Sequence, residues 1–184
     1  MNGIKVISHS PYNRGAHKGI YLGIFLSCLF FANAYSLEVP YLAPLSCVMM
    51  CLVPVIVYIN LRRSFIQDNE MTIFSALWLE GIVTFMCGGL ISTFVATLFM
   101  QYIHPGFLNE QIQLMIDLYS NYDGPQGQEF HDLLVRARDQ HLIPRPINLS
   151  IDMLWLIVFS GSILSMLMAL LVRALGNKDK RINS

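Results

Sequence analysis

The chain has 184 residues, of which 54% are hydrophobic and only 13% are charged, against about a quarter charged in an ordinary soluble domain. Mean hydropathy is +0.51 and the formal net charge is zero. Such a composition points to a protein that faces lipid, and the lack of any basic run argues against nucleic acid as a partner.

A hydrocarbon core about 30 Å thick needs about 20 apolar residues at 1.5 Å rise each. Four runs of that length lie at 19–37, 41–61, within 71–103 and at 153–172; none contains Lys or Arg, and only the third contains an acid. The predicted fold class is therefore all-α: a single membrane domain, 1–184, of four transmembrane helices, with a hydrophilic insertion at about 104–150 between spans 3 and 4.

Ahead of the first span stands Arg14-Gly15-Ala16-His17-Lys18-Gly19, and Gly15, Gly19 and Gly23 recur every four residues. A competing reading makes this segment a signal peptide, with Ala32-Asn33-Ala34 as a small-residue cleavage site. The glycine stripe argues against it, because small residues on one face let membrane helices approach closely, and a disposable leader has no use for that.

The second span carries Cys47 and Cys51, four residues apart, and Pro44 and Pro54. No His or carboxylate accompanies the cysteines to complete a zinc set, so they read as packing residues, as do Cys28 and Cys87. Each proline removes a backbone donor and can kink the helix.

In the third run, Trp78 and Tyr102 lie 24 residues apart, about 36 Å of helix, which suits a tilted span at 78–102 with one aromatic at each interface. Glu80 then sits just inside the cytoplasmic boundary, where Arg62 or Arg63 from the neighbouring helix end is within reach. These three residues form the candidate intramembrane ionisable site. Small residues recur as Gly88, Ser92 and Ala96 here and as Gly161, Ser165 and Ala169 in the fourth span. If the two stripes face each other, the serines can also hydrogen-bond across the contact.

The insertion has helical periodicity in two places. Leu108, Ile112, Met115, Ile116 and Tyr119 form one apolar face, and Phe130, Leu133, Leu134, Ala137 and His141 form another. Turn chemistry at 121–125 separates the two amphipathic helices, and Pro144-Arg145-Pro146 ends the second. The pair would lie on the outer bilayer surface or cap the bundle.

Nine of the twelve basic residues flank the spans on one side: Lys5, Arg14, Lys18, Arg62, Arg63, Arg173, Lys178, Lys180 and Arg181. Cytoplasmic flanks retain positive charge, so both termini are expected in the cytoplasm and the insertion outside, in a bacterial inner membrane. His104, His131 and His141 fall on the insertion side with Glu129 and Asp132, but at no metal-ligand spacing. No nucleophile elbow or phosphate loop occurs. No catalytic, cofactor-binding or metal-binding residue is assigned.

The leader Arg14-Gly15-Ala16-His17-Lys18-Gly19, the span spacing and the amphipathic insertion before the last span resemble the four-span inner-membrane proteins of Bacteroidota grouped as domain of unknown function 4199. The resemblance covers nearly the whole chain. It implies fold and location, carries over no catalytic residue, and implies a membrane-enzyme partner, a glycosyltransferase system acting on polyprenyl phosphates.

These readings lead to a non-enzymatic protein, embedded in the lipid bilayer, that acts through association with itself as a homo-oligomer or with a membrane or envelope partner. The alternative is a small transporter or ion-handling protein centred on Glu80, with the proline-bearing second helix as its moving part. A third class, an enzyme acting on lipids at the outer interface, needs His131, Asp132 and nearby acids to line one cleft.

Overall fold

A computed structural model describes residues 11–68, 73–120, 125–140 and 144–182. Six helices follow one another: α1 (Pro11–Ala34), α2 (Leu42–Gln67), α3 (Phe74–Leu98), α4 (Phe107–Ser120), α5 (Pro125–Asp139) and α6 (Pro146–Ile182). The described residues form no strand. α1, α2, α3 and α6 are each long and apolar enough to cross a membrane. The turn expected at 121–124 and the end of the second apolar stripe at His141 lie outside the described residues.

Proline places several of the helix starts. Pro11, Pro125 and Pro146 each open a helix, where the missing N–H would have had no partner in any case. Pro146 thus starts α6 rather than ending α5, which already stops at Asp139. Pro44 falls in the first turn of α2 and costs no helical hydrogen bond; Pro54 alone interrupts its interior. α2 and α6 outrun their uncharged runs, because hydrogen bonding does not stop at the membrane boundary: α6 is 37 residues long, about 55 Å.

α1 and α3 make the tightest contact, and glycine is the reason. A Cβ added at Gly15 would lie 2.8 Å from the Glu80 carbonyl oxygen, one at Gly19 2.6 Å from the Cys87 Cβ, and one at Gly23 2.8 Å from the Ile91 Cβ. Gly88 returns the contact from α3, facing Gly19 and Gly23. α6 packs on a different face of α3, with Ser165 against Gly81, Gly161 against the Phe85 ring, and Leu154 and Ile157 over Gly89.

The two four-residue stripes of spans 3 and 4 therefore do not face each other. Gly88 is turned to α1, and Ala96 packs near Ala34, Phe99 and Met100. Gly161 and Ser165 meet the Gly81, Phe85 and Gly89 face instead. Among the described residues the Ser165 hydroxyl makes no bond across this contact, being buried without a hydrogen-bond partner.

α2 is held mainly by its second half. Val57, Leu61 and Phe65 join Leu22, Leu26, Leu77, Ala169 and Val172 in one core. At the opposite end, α3 runs on as a π-helical turn, Phe99–Ile103, closed by the His104 N–H donating to the Phe99 carbonyl at 2.8 Å. This turn buries Phe99 and Met100 and gathers the rings of Phe30, Phe31, Tyr35, His104 and Phe107 around Phe99. The start of α4 is thereby anchored to the bundle.

Candidate functional site: a buried charge cluster

Three pairs of polar residues, each at a four-residue interval, meet where α1, α2 and α3 converge: Arg14 and Lys18, Ser64 and Asp68, Glu80 and Thr84. Residues four apart share one helix face, and the close approach of α1 to α3 brings these faces together. Arg14 and Lys18 directly precede the glycines of the contact stripe, so their long side chains pass beside the α1–α3 seam and reach α2 and α3.

Glu80 is only 1% exposed. Its Oε1 accepts from Lys18 Nζ at 2.7 Å and from Ser64 Oγ at 2.5 Å. Lys18 also donates to Ser64 Oγ and to the Asn60 carbonyl, both at 2.6 Å, so all three ammonium protons are used. Arg14 grips Asp68 with both terminal nitrogens, each pair at 2.8 Å, the bidentate geometry that makes guanidinium–carboxylate pairs strong. Thr84 Oγ1 donates to the Glu80 carbonyl at 2.8 Å and to the Gly15 carbonyl at 3.3 Å.

Arg62 and Arg63, the sequence-expected partners of Glu80, are both exposed and make no such contact. The expectation paired Glu80 with the nearest basic residues along the chain. The partners come from α1, because its glycines bring Lys18 closer to Glu80 than the end of α2 can bring an arginine. The signal was present as Arg14 and Lys18 flanking Gly15 and Gly19.

One gap remains in the network. Glu80 Oε2 and Arg14 Nε are both buried without a hydrogen bond and stand 3.7 Å apart. Two cations face two carboxylates, so the cluster is formally neutral and holds no surplus negative charge to attract a cation. Its chemical effect is to tie α1, α2 and α3 together at one end of the bundle, with Arg14 at 17%, Lys18 at 20% and Asp68 at 33% side-chain exposure extending toward the surface.

The remaining candidate groups do not converge. Cys28, Cys47 and Cys51 are exposed, and Cys87 is half-buried. Among the described residues, no three His, Cys, Asp or Glu side chains are placed to hold a metal. On α5, His131 lies 3.5 Å from its neighbour Asp132, and Asp132 and Glu129 are exposed. His104 lies 3.6 Å from Glu110 and stacks on Phe99. The α5 groups and His104 thus sit in different surroundings, the first largely exposed and the second packed among rings.

Four apolar spans with a charged clamp buried at one end define the class: a multi-pass integral membrane protein. A family model described as "Protein of unknown function (DUF4199)" matches residues 18–174, nearly the whole chain, and the protein belongs to that family. No curated protein and no solved structure matches.

Proposed function

We propose that this is a non-enzymatic inner-membrane protein that acts by associating with a membrane or envelope protein through the α4–α5 hairpin. One observation carries the reading. The glycine stripes are consumed inside the bundle, whereas the hairpin leaves large apolar side chains uncovered: Leu118 is 60% exposed and Leu133 63%. α5 rests on α4, through the Tyr119 and Phe130 rings, tilted with centroids 4.8 Å apart, and through Arg138 donating to Gln113 at 3.0 Å. The start of α4 joins the bundle through Phe107, whose ring packs on Phe99.

The placement of nine of the twelve basic residues at the other flanks of the spans supports a hairpin on the outer side, with both termini in the cytoplasm. Large apolar side chains on an otherwise polar surface are a signature of partner contact. A polyprenyl-phosphate glycosyltransferase system is the partner class that the family likeness brings forward. The reading is tested by co-purification from native membranes in mild detergent. Wild type is expected to retain a stoichiometric protein partner or a second copy of itself, and a variant with Leu118→Ser and Leu133→Ser is expected to lose it while keeping its helix content. A strictly monomeric wild type without partners would contradict the reading.

A further inference from the structure

The two halves of α2 are held very differently. Beyond Pro54 the helix is fastened to the bundle: Val57, Leu61, Ser64 and Phe65 are buried, Lys18 donates to the Asn60 carbonyl and to Ser64, and Arg14 grips Asp68 at the helix end. Ahead of Pro54, residues 42–53 bury only Ser46, whose hydroxyl turns back to the Ala43 carbonyl of its own helix. The link from α1 does not pin this half either, since residues 37–41 are all exposed.

Pro54 stands at the boundary between the two. It has no N–H to give the Met50 carbonyl and its ring crowds that carbonyl, so the hydrogen-bond ladder of α2 is weakest where its packing changes. Sharp helix bends fall at such positions. The loose half also has room to move: an apolar groove of about 440 Å³ separates it from α6, with Phe85 and Gly161 at the base and Met50, Val53, Leu156 and Ile157 along the sides. Met50 is 67% exposed, and its unbranched side chain can repack against α6 without a fixed fit. In lipid, apolar contact between helices brings no hydrophobic gain, so nothing of that kind holds the groove permanently shut.

We infer that residues 42–53 form a strap hinged at Pro54, which swings toward α6 and closes the groove to lipid while the clamped half of α2 stays in place. Open and closed positions differ by little free energy and both are populated. The device is independent of the hairpin and its partner. A proline bend of about 20° moves Cys47, seven residues or about 10 Å from the hinge, by about 4 Å. The test is double electron–electron resonance on the full chain in lipid nanodiscs. Cys28, Cys51 and Cys87 are replaced by serine, and spin labels are placed on Cys47 and on Ile151→Cys at the start of α6. A reference chain, with all four native cysteines replaced, carries labels on Ile66→Cys and Arg173→Cys in the clamped part. The Cys47 pair is expected to spread over about 4 Å more than the reference pair, the displacement that the hinge geometry gives. Pro54→Leu, which restores the missing donor, should narrow it to the reference width. Ser160→Phe fills the groove and should remove the shorter distances while keeping the longer ones, with helical circular dichroism unchanged; the two variants act at different points, so either one that folds is decisive. A Cys47 distribution as narrow as the reference, one that folded Pro54→Leu leaves equally wide, or short distances that survive in folded Ser160→Phe would each overturn the proposal.

Discussion

Glu80 shows why the location of a charge matters less than what surrounds it. Desolvating a carboxylate is costly unless it is paired and hydrogen-bonded, and removing one partner of a buried pair costs about 3–5 kcal/mol because the other is stranded. Lys18→Met is therefore expected to lower the unfolding temperature in detergent more than Arg62→Gln, which removes an exposed charge and should be nearly neutral. Combining Lys18→Met with Glu80→Gln should recover much of the loss, since no uncompensated charge remains. A double variant as unstable as the sum of its parts would contradict the clamp. Were Glu80 instead an ion-handling group, Glu80→Gln would abolish a pH- or ion-dependent flux in proteoliposomes; the neutral cluster leads us to expect no such flux. That an acid stood near the end of span 3 was legible from Trp78 and Tyr102. Its partners were less so, because basic residues of α1 and of α2 competed for it, and only the contact of Gly15 and Gly19 with α3 decides between them.

Between elements, small residues set the packing, and their consequences differ with what they touch. Gly19 lies against the Cys87 Cβ and the Thr84 carbonyl, neither of which can move without shifting α3. Gly19→Leu should thus destabilise by at least the ~1–3 kcal/mol typical of overpacking, read as a fall in unfolding temperature. Gly89→Ala meets the Leu154 Cδ1 at 3.1 Å and the Ile157 Cγ2 at 3.2 Å and should cost less, because the Leu154 end can rotate away and both contacts are looser than those at Gly19. A larger loss at Gly89 than at Gly19 would show that α3 docks more tightly on α6 than on α1. The choice of face was not readable from periodicity. α3 presents two small-residue stripes, Gly81 with Gly89 and Gly88 with Ala96, and spacing alone gives no ground for assigning α1 to one and α6 to the other. Pro44 and Pro54 likewise look equivalent in sequence and separate only once the start of α2 is known.

At the scale of the whole molecule, four spans and an amphipathic pair were readable because membrane thickness and helical periodicity act on the sequence directly. The association of helices was not, because inside lipid it rests on close fit between particular side chains. The molecule has two unlike ends, one fastened by the Arg14, Lys18, Asp68 and Glu80 cluster and the other by rings around Phe99, from which the hairpin departs. Under the proposed orientation, with both termini in the cytoplasm, single cysteines at Ser36 and Leu118, introduced into a chain cleared of its own four, should label with a membrane-impermeant maleimide in intact cells. A cysteine at Gln67 should label only after lysis, and the reverse pattern would invert the topology. The central claim, that the hairpin is the surface of association, is tested most directly by placing a photoactivatable crosslinking residue at Leu133 and, separately, at Val55 on the lipid-facing side of α2, then irradiating native membranes. Discrete protein adducts from Leu133 and none from Val55 are expected; adducts from Val55 alone, or from neither position, would contradict the claim.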